Sequence, residues 1–371
     1  MPATAKKLRR EKNKISQLDI VTDPAEAAEE AGLRYVSDEN PGYSRKAKGD
    51  DFKYFDAEGK PIHDEQRFLR IKRIGIPPAW TDVWICPAPN GHIQATGRDA
   101  RGRKQYRYHQ RWREVRDENK YERIAIFGAA LPKIRKRVEK DMERRELGRE
   151  KVLATVVHLL ERTFIRIGNE EYARENKSFG LTTMQGRHVD VKGAKLRFHF
   201  RGKSGKMHEV DVTDRRIAKT VSRLQDLPGQ DLFQYVDENG DRHDVTSQDV
   251  NGYLGKMTNE DFTAKDFRTW AGTVLAAIAV NSLGAAETKK QAKANIRDAI
   301  SAVAKILGNT PAICRKCYIH PAIFETYQSG ASIDGLKQKT EETLGENAID
   351  FRADEKAVLE FLQARSEKKT A

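Results

Sequence analysis

Gly308-Asn309-Thr310-Pro311-Ala312-Ile313-Cys314-Arg315-Lys316-Cys317-Tyr318-Ile319-His320 is the stretch on which the reading of this chain turns. The apolar residues before it, Ala292, Ile296, Ala299, Ile300, Val303 and Leu307, recur at helical spacing and predict an amphipathic helix. Gly308 stops that helix, and Thr310-Pro311 reads as an N-cap with proline at the first position of the next one. Pro321 ends or restarts the second helix. Tyr318 therefore lies near the end of a short, punctuated segment, beside Arg315 and Lys316. By residue type alone it could be an ordinary helix tyrosine, with its ring in the core and its hydroxyl at the surface. Cys314 and Cys317 have the spacing of half a zinc site. A finger or ribbon needs a second ligand pair, and the one remaining cysteine is Cys86, so no metal is expected.

The rest of the chain narrows these choices. Its 371 residues allow two or three domains, and a formal charge of +13 favours a polyanionic partner, nucleic acid first. Three cysteines make no disulfide framework, which points to a reducing compartment. The sequence shows neither a membrane-length apolar run nor the apolar core of a secretory signal.

In chain order, residues 1–23 form a basic, apolar-poor arm (Lys6, Lys7, Arg9, Arg10, Lys12, Lys14) suited to non-specific phosphate affinity. Residues 24–117 read as a β-rich domain. Its strands are expected at Tyr54-Phe55, Thr81–Cys86 and Gly91–Gly97, with a short helix at Ala25–Ala31. That domain carries Arg103-Lys104-Gln105-Tyr106-Arg107-Tyr108, where cations alternate with aromatic and amide groups. Such a surface can neutralise phosphates and reach base edges, and it is expected to touch DNA.

Helices dominate residues 118–345. They are expected at Leu131–Leu147, at Lys151–Ile167 with Arg166 at its C-terminal end, and at Thr263–Val280. The last of these turns Phe267 and Trp270 inward and leaves Lys265 and Arg268 at its rim. Between the helices, Leu181–Val212 alternates with period two and predicts a small antiparallel sheet turning at Gly202-Lys203-Ser204-Gly205. Gly-Lys-Ser there is not a P-loop, because Arg197 stands where the leading glycine is required and the turn joins two strands. Lys203 is instead a lysine at a hairpin tip. Residues 346–371 are expected to end in a helix around Lys356–Gln363 and a basic tail.

Five motifs in order carry a resemblance. They are Gly102–Tyr108, Phe164-Ile165-Arg166-Ile167-Gly168, Gly202-Lys203, Lys265-Asp266-Phe267-Arg268-Thr269, and Gly308-Asn309-Thr310-Pro311 followed by Tyr318. Over about residues 24–345 the chain resembles the type IB DNA topoisomerases, specifically the small poxvirus-like enzymes of bacteria. The resemblance implies an α+β fold, with a small N-terminal β-rich domain and a larger, mainly α-helical catalytic domain of the topoisomerase IB/tyrosine recombinase type. It implies Tyr318 as a nucleophile that forms a 3′-phosphotyrosyl bond, Arg166 and Arg268 on the nonbridging oxygens, and Lys203 as proton donor. Asn309 stands where the family has a histidine, Lys265 is a possible auxiliary group, and Gly168 and Tyr172 join Arg103–Tyr108 as DNA contacts. No cofactor, ATP or metal is implied. The expected partner is double-stranded DNA held by a monomeric clamp, in the cytoplasm of a bacterium.

Two other classes stay open at this point. A tyrosine recombinase shares much of this set but usually has histidine three residues before the second arginine, where this chain has Lys265. A DNA-binding architectural protein would leave Tyr318 inert. Geometry adds a constraint to any catalytic reading. Nine helical residues would hold Asn309 and Tyr318 about 13.5 Å apart on opposite faces, so the backbone must break between them, at Gly308 and Pro311.

Overall fold

The computed structural model describes residues 24–370 apart from 50, 101, 334–335 and 337–351. The basic arm expected at residues 1–23 lies outside the described residues. Two compact units part between Arg123 and Ile124.

In the first unit, α1 (Pro24–Glu30), β1 (Tyr43–Lys48), β2 (Asp51–Phe55), α2 (Glu65–Ile74), β3 (Thr81–Ile85), β4 (Ile93–Arg98) and β5 (Lys104–Tyr108) follow in order. The strands form one antiparallel sheet in the order β2-β1-β3-β4-β5. Alternation in β3 buries Val83 and Ile85, which pack with Ile71 of α2 and Ala95 of β4. Asp64 caps α2 by accepting from the Arg67 amide at 2.7 Å, and Gly75 ends it in the left-handed region (φ 66°).

The long α3 (Gln110–Met142) begins about twenty residues earlier than its apolar pattern predicts, and it stops short of Leu147. In the second unit follow α4 (Arg149–Thr163), α5 (Glu170–Asn176), β6 (Val189–Lys192), β7 (Lys195–Arg201) and β8 (Met207–Thr213). After these come α6 (Arg215–Gln225), β9 (Gln234–Val236), β10 (Arg242–Asp244), α7 (Ser247–Thr258) and α8 (Ala264–Ser282). The unit closes with α9 (Lys289–Ile306), α10 (Pro311–Tyr318), α11 (Pro321–Gln328) and α12 (Arg352–Thr370). The fold is α+β, with helices predominating here. Phe127, Phe262 and Phe267 meet edge to face at the centre of its core. Arg135 bridges Glu161 and Glu355, and Trp270 also donates to Glu355, so α12 is held to the core through a charged network.

Three further expectations need correction. The helix predicted to reach Ile167 ends at Thr163, because Phe164 takes a left-handed conformation (φ 55°), and Arg166 then lies on an extended segment. The predicted strand at residues 181–188 is instead two short 3-10 turns, Leu181–Thr183 and Gly186–His188. Arg268 is not at the rim of α8: it is 4% exposed. The hairpin β7–β8 is present as expected, paired from Lys195↔Thr213 to Arg201↔Met207, with Lys203 on its turn.

Candidate active site

The C-terminal end of α9 organises the site. A helix end leaves backbone carbonyls without partners and carries partial negative charge. Here two guanidinium groups supply the donors. Arg268 donates to Leu307 O at 2.7 Å and to Phe164 O. Arg166 donates to Gly308 O at 3.1 Å and to the side-chain oxygen of Asn309. Arg268 therefore joins the end of α9 to the strained Phe164 turn, and that turn aims the segment carrying Arg166.

Two glycines fix this segment from behind. A Cβ on Gly180 would come within 2.5 Å of Arg166 O and of Gly168 N. A Cβ on Gly168, whose φ of 110° already disfavours a side chain, would meet Thr182 Oγ1 at 2.9 Å. The close approach lets the Leu181 amide donate to Arg166 O at 2.9 Å and the Thr182 amide to Ile167 O at 2.6 Å. Gly168 thus serves to place Arg166.

Tyr318 is set by a third glycine. A Cβ on Gly272 of α8 would lie 2.4 Å from Tyr318 O and 3.1 Å from Tyr318 Cβ, so the last turn of α10 rests directly on α8. The His320 amide donates to Thr273 Oγ1 at 3.1 Å and fixes the exit. The half-buried Tyr318 ring lies beneath Arg268, whose Cζ is 5.0 Å from the ring centre. Burial, and then the Arg166 charge, push the Arg268 pKa down, but a guanidinium keeps its proton in any folded protein. Burial pushes the Cys314 thiol up to about 11, which suits a core residue of α10.

Arg166, Lys203, Arg268 and Gly308 line one cleft of about 140 Å³. Several polar atoms around it are buried without a partner: Arg268 Nε, Asn309 Nδ2 and His208 Nε2. Buried polar groups are normally paired, and an oxyanion in the cleft would give the donors among these a partner. Cationic groups and amide donors converging on one small cleft suit a phosphate oxyanion. Of the residues singled out in the sequence, Arg166, Lys203 and Arg268 line the cleft, Asn309 adjoins it through Arg166, and Tyr318 through Arg268. Lys265 is exposed on the first turn of α8 and does not line the cleft. Tyr172 lies in α5. His208 was missed, and the available signal was its place in the sequence, five residues past the hairpin lysine.

In the first unit, β5 alternates Lys104, Tyr106 and Tyr108 with Gln105 and Arg107. Tyr106 and Tyr108 stack at 5.8 Å, and Tyr106 is 42% exposed. The cations are held by the protein itself. Lys104 pairs with Asp38 at 2.7 Å and Arg103 with Asp99 at 2.6 Å, while Arg107 donates to Gly75 O at 2.7 Å.

The buried Arg268, the half-buried Arg166 and the hairpin Lys203 make a cationic cleft suited to an anion, with Tyr318 held beneath Arg268. Comparison with known proteins places the chain further. Residues 109–346 match the family described as eukaryotic DNA topoisomerase I, catalytic core, and residues 51–99 match the bacterial DNA topoisomerase IB N-terminal domain. DNA topoisomerase 1B of Acanthamoeba polyphaga mimivirus is 30% identical over 295 residues, covering 78% of this chain and 88% of that protein. DNA topoisomerase 1B of vaccinia virus (strain Copenhagen) is 23% identical over 293 residues, covering 76% and 88%. DNA topoisomerase 1 of rabbit fibroma virus is 24% identical over 275 residues, covering 71% and 83%. The chain belongs to the type IB DNA topoisomerases, poxvirus-like in kind, and is an isomerase that changes DNA topology. Among the described residues no helix is long and apolar enough to cross a membrane.

Proposed function

We propose that Tyr318 is the nucleophile of a cycle of transient single-strand cleavage and religation on double-stranded DNA. Its oxygen attacks the scissile phosphorus, the bond to the 5′-oxygen breaks, and the 3′-phosphate stays on the tyrosine. Arg166 and Arg268 meet the charge that builds on the nonbridging oxygens, and Lys203 supplies the proton that the departing 5′-oxygen takes up. The covalent bond stores the energy of the broken one, so the freed 5′-hydroxyl can reseal the strand without ATP. Arg103–Tyr108, with Gly168 and Tyr172, contribute on the DNA-binding side. The working form is a monomer closed around duplex DNA, in the cytoplasm of a bacterium. The observation that carries this reading is the convergence of unpartnered polar groups and cations on one cleft, whose Arg268 lies over the Tyr318 ring. Supercoiled plasmid incubated with the protein in EDTA, without ATP, should be relaxed with many turnovers. Plasmid left supercoiled would overturn the reading.

Asn309 has a divided role. Its oxygen accepts from Arg166, while its Nδ2 is buried with no partner and is free to donate to phosphate. Asn309→Ala should slow covalent adduct formation about 10²-fold, the usual scale for one lost oxyanion donor. Asn309→Asp keeps an oxygen for Arg166 but replaces the donor with negative charge, and it should be slower still. Asn309→His should retain activity. An alanine variant as fast as wild type would leave Asn309 only as a helix-end residue.

Replacing Arg103, Lys104 and Arg107 together with alanine should weaken DNA binding and flatten its salt dependence. Each phosphate that the variant no longer neutralises takes roughly 0.9 off the slope of log K against log salt. Their carboxylate and carbonyl partners must share them with DNA, so the drop tells how many of the three reach phosphate. An unchanged slope would assign all three to the fold of the first unit.

A further inference from the structure

His208 enters β8 five residues after Lys203, and its ring is wedged between two of the motifs described above. A Cβ on Gly202 would come within 2.5 Å of His208 Cδ2, and one on Gly308 within 2.7 Å of Cε1. Those glycines immediately precede Lys203 and Asn309. The ring stacks on Phe200, with centres 5.4 Å apart and planes 17° apart, and it lines the same cleft as Arg166, Lys203 and Arg268. Its Nε2 is buried without a hydrogen-bond partner.

We propose that His208 is a further catalytic residue, hydrogen-bonding a nonbridging oxygen of the scissile phosphate from the hairpin side of the cleft. This rests on the reading of Tyr318 as nucleophile. The oxygen that Arg166 holds at the end of α9 belongs to Gly308, the residue the imidazole covers, so one anion bound there meets both side chains. The surroundings are those of an anion site. Arg166, Arg268 and Lys206 all act on the ring by charge, Lys203 and Lys305 line the cleft, and Glu209 is the one carboxylate among its described lining residues. Burial first, then those three cations, push the His208 pKa down, which favours the neutral ring with its one N–H donor. A bound phosphodiester sets one negative charge against those cations and gives the ring an acceptor. The arrangement also accounts for Gly202 and Gly308: each leaves room for the ring, and the ring holds the Lys203 hairpin against the α9–α10 turn.

A purely packing role would need the ring but no hydrogen bond, and substitution separates the two. Covalent adduct formation would be followed in a single turnover with excess enzyme on a labelled duplex. His208→Ala, His208→Phe and His208→Gln would be compared with wild type, with DNA binding and thermal melting measured alongside. Alanine and phenylalanine should slow adduct formation about 10²-fold with binding little changed, and glutamine, which keeps a donor, should recover at least about tenfold. Phenylalanine as fast as wild type would reduce His208 to packing and overturn the proposal. Glutamine as slow as phenylalanine would overturn it too, since no hydrogen bond would then be at stake. Absence of adduct with wild type itself would overturn the assignment of Tyr318, and this inference with it.

Discussion

Tyr318→Phe should form no covalent adduct and relax no plasmid, while still binding DNA. The substitution removes one oxygen and keeps the ring under Arg268, where the 5.0 Å cation–π contact and the seat on Gly272 are unaffected. Cleavage should fall by something on the order of 10⁶, the scale for removing a covalent nucleophile. Binding should change by no more than about fivefold, the worth of one neutral hydrogen bond. The two effects are read separately, by trapping protein–DNA adducts under denaturing conditions and by titrating a labelled duplex. An adduct that survives in the phenylalanine protein would place the nucleophile elsewhere. A loss of binding equal to the loss of cleavage would instead mean that the phenol holds DNA.

Much of this site is legible in the residues, for reasons that differ from one position to the next. The break around Asn309 could be read from Gly308 and Pro311, because both residues restrict the backbone in known ways. The structure shows that break, with Gly308 at φ 59° and α10 starting at Pro311. Lys203 was legible as a hairpin tip because period-two alternation on both sides fixes the turn between them. Arg268 was legible as a reactive group but not as a buried one. Helical periodicity put it at the rim, and what draws it inward is the end of α9, nearly forty residues away, whose carbonyls need donors. The left-handed Phe164 could not be anticipated either. A non-glycine residue takes that conformation only when its surroundings impose it, and here Arg268 supplies the hold. His208 shows the same limit from the other side. Alternation in β8 puts it on the inward face with Val210 and Val212, opposite Phe200, and only the packing of Gly202 and Gly308 around the ring marks it out from a core position. Local pattern marks out most of the elements, while the positions of Arg166, Arg268 and His208 are set by contacts between elements distant in sequence.

Lys203→Ala should lose cleavage activity by about 10²- to 10⁴-fold, the usual range for a general acid, and regain most of it when the bridging 5′-oxygen is replaced by sulfur. The reasoning rests on the leaving group. An alkoxide is nearly as basic as hydroxide, with a conjugate-acid pKa near water's own value of about 15.7, whereas a thiol sits near about 8.5. Oxygen therefore needs a proton as its bond to phosphorus breaks, and sulfur leaves as the thiolate without one. Lys203 is placed for that donation, exposed on the turn between β7 and β8 and lining the cleft with Arg166 and Arg268. The competing role is a lysine that only balances phosphate charge. Arg166→Ala and Arg268→Ala supply the contrast, because the charge they meet lies on nonbridging oxygens that the sulfur substrate still has. Those two variants should recover little on sulfur. Equal recovery by all three variants would show that sulfur merely makes an easier reaction. No recovery by Lys203→Ala would show that its lost rate was never a matter of the proton, and would return Lys203 to the role of a cation at the hairpin tip.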